Sequence, residues 1–76
     1  MVKVEIITKT LPGFEDAWFV KKEKDYFVVS GADALFTGWE VLVFPAKETG
    51  EVIDLVEICG GRGITHEDAI EELEAM

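Results

Sequence analysis

Residues 39–44 read Trp-Glu-Val-Leu-Val-Phe and give the clearest β-strand signal in this sequence. The run is rich in aromatic and β-branched residues, which are enriched in strands. From Val41 to Phe44 both alternate sets of positions are apolar, and such a strand is covered on both of its faces. Pro45 follows and is expected to end the strand, because proline cannot donate a hydrogen bond to the sheet. A central strand from Trp39 to Phe44 is therefore predicted.

Further segments of strand composition lie on both sides of this run and are separated by turn signals. Turns are predicted at Leu11-Pro12-Gly13, at residues 22–25 and at residues 47–50, where glycine, proline or charged residues interrupt the apolar pattern. The accompanying strands are predicted at Val2–Ile7, Ala17–Lys22, Tyr26–Ser30 and Val52–Ile58.

Residues 14–24 admit a second interpretation. Glu15 and Asp16 precede a group of lysines, which is the charge order that a helix dipole favours. A helix from Phe14 to Lys24 is therefore the alternative. The aromatic and β-branched residues of 17–22 favour a strand, so we expect a β-hairpin.

A C-terminal helix is predicted from His66 to about Met76. Thr65 stands at its N-cap position, and Asp68 three residues later gives a variant of the capping box. With about 100° between successive residues, the apolar residues and His66 share one side of the helix. The other side is a ridge of acids with no base among them: Glu67, Asp68, Glu71, Glu72 and Glu74.

These elements predict an α+β fold, an antiparallel and meander-like sheet of four to five strands with one C-terminal amphipathic helix on one face. With 76 residues the chain is long enough for one core, so residues 1–76 are expected to form a single domain. A helix about 10 Å across is narrower than four or five strands at about 4.8 Å spacing. The uncovered apolar surface predicts a homo-oligomer, with a curled monomer or a different partner protein as alternatives.

Charge is distributed unevenly along the chain. The formal net charge is −9, yet residues 1–30 carry five lysines against five acids, so the whole excess lies in residues 31–76. Nucleic-acid binding requires clustered basic residues, and an anionic membrane surface attracts them as well. Direct binding to nucleic acid or membrane is therefore not expected, whereas a basic protein is a plausible partner.

The remaining composition bounds location and chemistry. A single cysteine excludes an internal disulfide, and neither a secretory signal nor a membrane span is recognised, so a cytoplasmic location is expected. The chain has no Asn or Gln and abundant Glu and Lys, a composition typical of thermophiles. One histidine cannot build a zinc site, and we predict no metal, no cofactor and no catalytic set.

A glycine-rich segment and a cysteine–histidine pair are the candidate chemical sites in this sequence. Residues 60–63 read Gly-Gly-Arg-Gly before the helix start, and backbone N–H groups there could bind an anion together with an arginine. The alternative site is therefore Gly60, Gly61, Arg62 and Gly63, in a connection expected to be flexible. Cys59 and His66 are expected to be structural residues, because nothing in the sequence fixes a nucleophile–base contact.

Gly31 and Gly38 bracket a segment predicted to be a loop or a single helical turn. It contains two large apolar residues, which must fold over the sheet edge or meet a partner. The predicted partner-binding residues are Leu35, Phe36, Glu67, Glu71 and Glu74.

The sequence therefore predicts a small acidic protein–protein interaction module, not an enzyme, that self-associates through an apolar sheet face. One alternative is an acidic inhibitor or nucleic-acid mimic that docks on a basic partner. The other is a small anion- or nucleotide-binding domain that uses the glycines of residues 60–63.

Overall fold

The computed structural model describes residues 2–13, 16–34 and 38–76. They form five strands and one helix in the order β1 (Glu5–Thr8), β2 (Ala17–Lys22), β3 (Asp25–Ala34), β4 (Gly38–Ala46), β5 (Cys59–Arg62) and α1 (His66–Ala75). The predicted α+β class with one C-terminal helix is confirmed. In the described part of the chain no helix is long and apolar enough to cross a membrane.

The strands form one antiparallel sheet in sequence order, β1-β2-β3-β4-β5, so β3 is central and β1 and β5 are the edges. Every strand pairs with its neighbour in the chain, which is the predicted meander. The register is irregular only in β1, where a bulge lies between Ile6 and Thr8.

The hairpin interpretation of residues 17–30 is confirmed, and the helix from Phe14 to Lys24 is wrong for the residues described. β2 pairs with β3 from Ala17 opposite Ser30 to Lys22 opposite Asp25. Glu23 turns the chain with a φ of 57°. The aromatic and β-branched residues of β2 bury well on a sheet, and this burial outweighs the weak helix-dipole signal.

The segment bracketed by Gly31 and Gly38 is not a separate loop or helical turn over its described part. β3 continues through Ala34 and β4 already begins at Gly38, so the hairpin is longer than predicted. Pro45 lies within β4 opposite Phe27, and its carbonyl accepts a hydrogen bond from Ile53 N at 2.8 Å. The prediction that Pro45 ends the strand is therefore wrong: its nitrogen points to the same side as its carbonyl, away from β3, so no hydrogen bond to β3 is lost.

The last predicted strand is wrong. Residues 52–58 form a loop with one isolated bridge from Val52 to Ala46, and β5 is built from residues 59–62 instead. Gly60 and Gly61, which the sequence predicts to lie in a flexible connection, therefore pair with β4. A methyl group on Gly60, whose φ is 125°, would run into the Val41 carbonyl oxygen. A residue with a side chain could not approach β4 this closely at position 60, and α1 packs on β5.

The predicted helix and its cap are confirmed. Thr65 Oγ1 accepts a hydrogen bond from Asp68 N at 3.1 Å, and Asp68 Oδ2 accepts one from Thr65 N at 3.0 Å. The other end lacks a base of its own, but Lys22 from β2 supplies one. Its Nζ donates to the main-chain oxygens of Leu73 at 2.8 Å and Met76 at 2.9 Å, where a cation stabilises the helix dipole.

Two groups of buried residues cover the two faces of the sheet. On the helix face, alternate residues of β2, β3 and β4 pack under α1; they include Val20, Val29, Val41 and Val43, with Leu73 from the helix. On the opposite face the buried residues are Ala17, Phe19, Val28 and Ala46, with Leu11, Tyr26 and Val52 packed against them. The opposite face is therefore partly covered by the chain's own loops.

Candidate interaction surface

The aliphatic side chains with the highest exposed fractions among the described residues lie in a single loop, residues 53–57, between β4 and β5. Leu55 is 81% exposed, Val56 66% and Ile53 60%. Three exposed aliphatic residues within one loop are unusual, because proteins normally expose large apolar side chains singly. This "53–57 loop" is the first part of the candidate surface.

Hydrogen bonds to β4 hold the 53–57 loop at both ends. Ile53 N donates to Pro45 O at 2.8 Å, and Ile58 N donates to Val43 O at 2.8 Å. Inside the loop, Val56 N donates to the Asp54 carboxylate at 3.2 Å. The aliphatic side chains therefore project from a segment that is fixed to a central part of the sheet.

A second exposed apolar surface lies along β1. Ile6 is 40% exposed and Ile7 46%. Among the described residues the strand pairs only with β2, so no described strand lies beside its other edge. The exposed Lys3 and Lys9 precede and follow this "β1 edge" in sequence, and the exposed Glu5 lies within it. The Nζ of Lys9 also lies 4.7 Å from the ring centroid of Trp18.

An open groove of about 400 Å³ lies between the end of the β2–β3 hairpin and the end of α1. Its apolar lining includes Val2, Phe27 and Ile58, and its charged lining includes Lys22 and Asp25. The lysine is already bonded to the helix end, so its ammonium group is committed to the fold.

The acidic ridge is divided by its contacts. Glu67 and Glu71 are exposed. Glu74 is half-buried, and its Oε2 accepts a hydrogen bond from Val4 N at 2.8 Å, while Asp68 belongs to the capping box. Glu74 therefore fixes the start of the chain to α1 and is not a free member of the ridge.

The proposed anion-binding residues do not form a loop at the helix start. Gly60, Gly61 and Arg62 lie in β5, with Arg62 opposite Glu40 in the register of β4. The N–H of Gly63 donates to Trp39 O at 2.7 Å. The backbone of residues 60–62 is paired with β4, and Glu40 lies opposite Arg62. The arrangement therefore offers no support for an anion site.

Cys59 is half-buried against the helix-face core, with Sγ 3.9 Å from Ala69 O. Burial chiefly raises the pKa of its thiol, the Glu72 carboxylate adds to the rise, and Lys22 opposes it. A thiol held protonated is a poor nucleophile. This fits the structural role predicted for Cys59.

His66 joins the helix start to β2. Its ring stacks on Trp18 with the ring centroids 4.7 Å apart, and Nε2 donates to Asp16 O at 2.6 Å. The imidazole is thus partly buried, with one face stacked on Trp18 and Nε2 hydrogen-bonded to Asp16. These contacts fit the structural role predicted from the sequence. Cys59 and His66 are placed in separate contacts and show no nucleophile–base hydrogen bond.

Leu35 and Phe36 lie outside the described residues. Within the ranges that the structure describes, no group of three or more His, Cys, Asp or Glu side chains is placed to hold a metal ion. Comparisons with protein-family models, with curated proteins and with solved structures find no match for this chain.

Sequence reasoning missed the 53–57 loop as a surface because its composition is that of a strand. The sequence signal that could have revealed the loop is the pair of acids Asp54 and Glu57, which interrupt the aliphatic run. In the structure, β4 pairs with residues 59–62 and not with this run. A strand-like segment without a place in the sheet is exposed together with its aliphatic side chains.

Proposed function

We propose that this chain is a small acidic, non-enzymatic protein–protein interaction module that self-associates through exposed aliphatic side chains. The observation that carries the proposal is the 53–57 loop, where Ile53, Leu55 and Val56 face solvent although the valines of β2 and β3 are buried. Removing such side chains from water contributes about 25 cal/mol per Å² of apolar area.

The surface for association lies at the margin of the sheet and not at its centre. Phe19 and Val28, on the face opposite the helix, are already buried against Leu11 and Val52. The exposed aliphatic area is concentrated in the 53–57 loop and on the β1 edge. A small domain gains stability by covering such area with another copy.

The cytoplasm is the location that best fits this module. Cys59 is a free thiol, and free thiols persist in reducing compartments. Self-association there needs no covalent link between copies.

A basic partner protein is the second candidate. Glu67 and Glu71 are exposed on α1 and have no base on their own helix. Binding of this kind would weaken with salt, whereas association through aliphatic contacts would persist.

The test is the mass of the protein in solution from micromolar to millimolar concentration, measured by sedimentation equilibrium. We expect the mass to rise above the 8.5 kDa of one chain. The double substitution Leu55→Ser/Val56→Ser should keep the protein monomeric at concentrations where the wild type associates. Because both side chains are exposed, the fold should be retained, as judged by circular dichroism.

The matched control is Met76→Ser, which removes an exposed apolar side chain from the helix end. This variant should associate like the wild type. A wild-type mass that stays at one chain across the whole range would overturn the proposal. An equal loss of association in the control would show that apolar content, and not this loop, controls the behaviour.

A further inference from the structure

We infer that self-association is heterologous: the 53–57 loop of one copy docks against the β1 edge of a second copy. This inference rests on the proposed function and adds the two complementary surfaces. The contact brings the exposed Leu55 and Val56 of the loop onto the exposed Ile6 and Ile7 of the edge.

Charge complementarity identifies the second copy as the occupant. The loop carries Asp54 and Glu57 among its aliphatic residues, and the β1 edge carries the two lysines Lys3 and Lys9 against one exposed acid, Glu5. Opposite charges around an apolar contact set its orientation and disfavour the wrong pairing.

The overall charge distribution favours the same arrangement. Residues 1–30 are neutral and residues 31–76 hold the whole charge of −9. A contact between two copies of the acidic loop would be repulsive, whereas the β1 edge offers Lys3 and Lys9 beside the single acid Glu5. Identical patches facing each other, loop to loop, are therefore disfavoured.

The form of β1 determines how the loop docks. The strand has four residues and a bulge between Ile6 and Thr8, and short, bulged strands resist continuous pairing. The loop itself keeps a turn, since Val56 N is bonded to Asp54. The contact is accordingly made by side chains and is not an extension of the sheet.

Two complementary variants test the inference. The first, Lys3→Glu/Lys9→Glu, disables the β1 edge and leaves the loop intact. The second, Leu55→Ser/Val56→Ser, disables the loop and leaves the edge intact. Each alone should dissociate at least tenfold more readily than the wild type, which corresponds to about 1.4 kcal/mol.

Mixing the two variants is the decisive measurement. Because a functional loop and a functional edge then meet in different chains, the mixture should form a 1:1 complex, detected as a rise in mass and by native mass spectrometry. A mixture that stays monomeric while the wild type associates would overturn the inference and leave the proposed function standing. A monomeric wild type would overturn both.

Charge reversal on both sides supplies the second readout. Asp54→Lys/Glu57→Lys should weaken association, and combining it with Lys3→Glu/Lys9→Glu in one chain should restore affinity to within about threefold. The control, Lys24→Glu, reverses a charge at the exposed β2–β3 turn away from β1 and should dissociate less than about threefold more readily. If the four-residue exchange fails to restore association in a folded protein, the charge assignment is wrong and the inference fails.

Discussion

Replacing Gly31 by alanine should destabilise the fold, because the space above this glycine is filled. A methyl group there would stand 2.5 Å from Cζ2 of Trp39, 2.6 Å from its Cη2 and 3.0 Å from Cε1 of His66. The indole cannot simply swing aside, since its Nε1 donates to Ile64 O at 3.0 Å. The histidine is likewise held by Trp18 and by the Asp16 carbonyl.

The expected magnitude follows from two opposing effects. Overpacking of a well-packed site costs about 1–3 kcal/mol, and replacing glycine by alanine in a strand returns about 0.5–1 kcal/mol. Gly31→Ala should therefore lower the free energy of unfolding by about 1–2 kcal/mol. For a domain of this size, each kcal/mol corresponds to about 4–8 °C in Tm.

Urea unfolding followed by tryptophan fluorescence measures this change, because Trp39 is one of two tryptophans. The matched control is Gly61→Ala in β5, where a methyl group would meet nothing within 4 Å and φ is not in the left-handed region. This control should be neutral or slightly more stable. If Gly31→Ala proves as stable as Gly61→Ala, the crowding argument is refuted.

Two other predictions concern the helix end and the buried thiol. Lys22→Met should lower the free energy of unfolding in urea by about 1 kcal/mol, because it removes the ammonium group from the Leu73 and Met76 oxygens. The control Lys24→Met, at an exposed turn, should change this free energy by less than about 0.5 kcal/mol. Equal losses in the two variants would contradict the stabilising role of Lys22 at the helix end. Burial raises the folded pKa of the Cys59 thiol, so its contribution is fully present below the unfolded pKa and is lost as pH rises through the folded pKa. The urea midpoint should therefore fall more steeply above about pH 8.5 in the wild type than in Cys59→Ala, and parallel curves would count against the assignment.

Local chemistry in the sequence predicted the elements whose causes are local. Thr65 and Asp68 are three residues apart and satisfy each other's backbone groups, so the helix start could be placed from the sequence alone. The β2–β3 hairpin was predictable for the same reason, because strand composition and a polar turn lie within a few residues.

The last strand could not be placed because its cause is not local. Residues 52–58 have the better strand composition, yet β4 pairs with residues 59–62. What decides is the close approach of Gly60 to Val41 and the packing of α1 on β5. These are properties of the assembled layers, and the exposure of the 53–57 loop follows from them.

The meander order has a consequence for how the chain reaches its native state. Each strand pairs with its neighbour in sequence. The loop closed at each pairing is therefore short, and the entropy lost on closing it, which grows with the logarithm of loop length, is small. The longest connection between paired strands runs from Ala46 to Cys59, and Val52 bridges back to Ala46 within it. Folding can therefore progress by successive local ring closures, and topologies of this kind reach the native state faster than those that require distant segments to meet first.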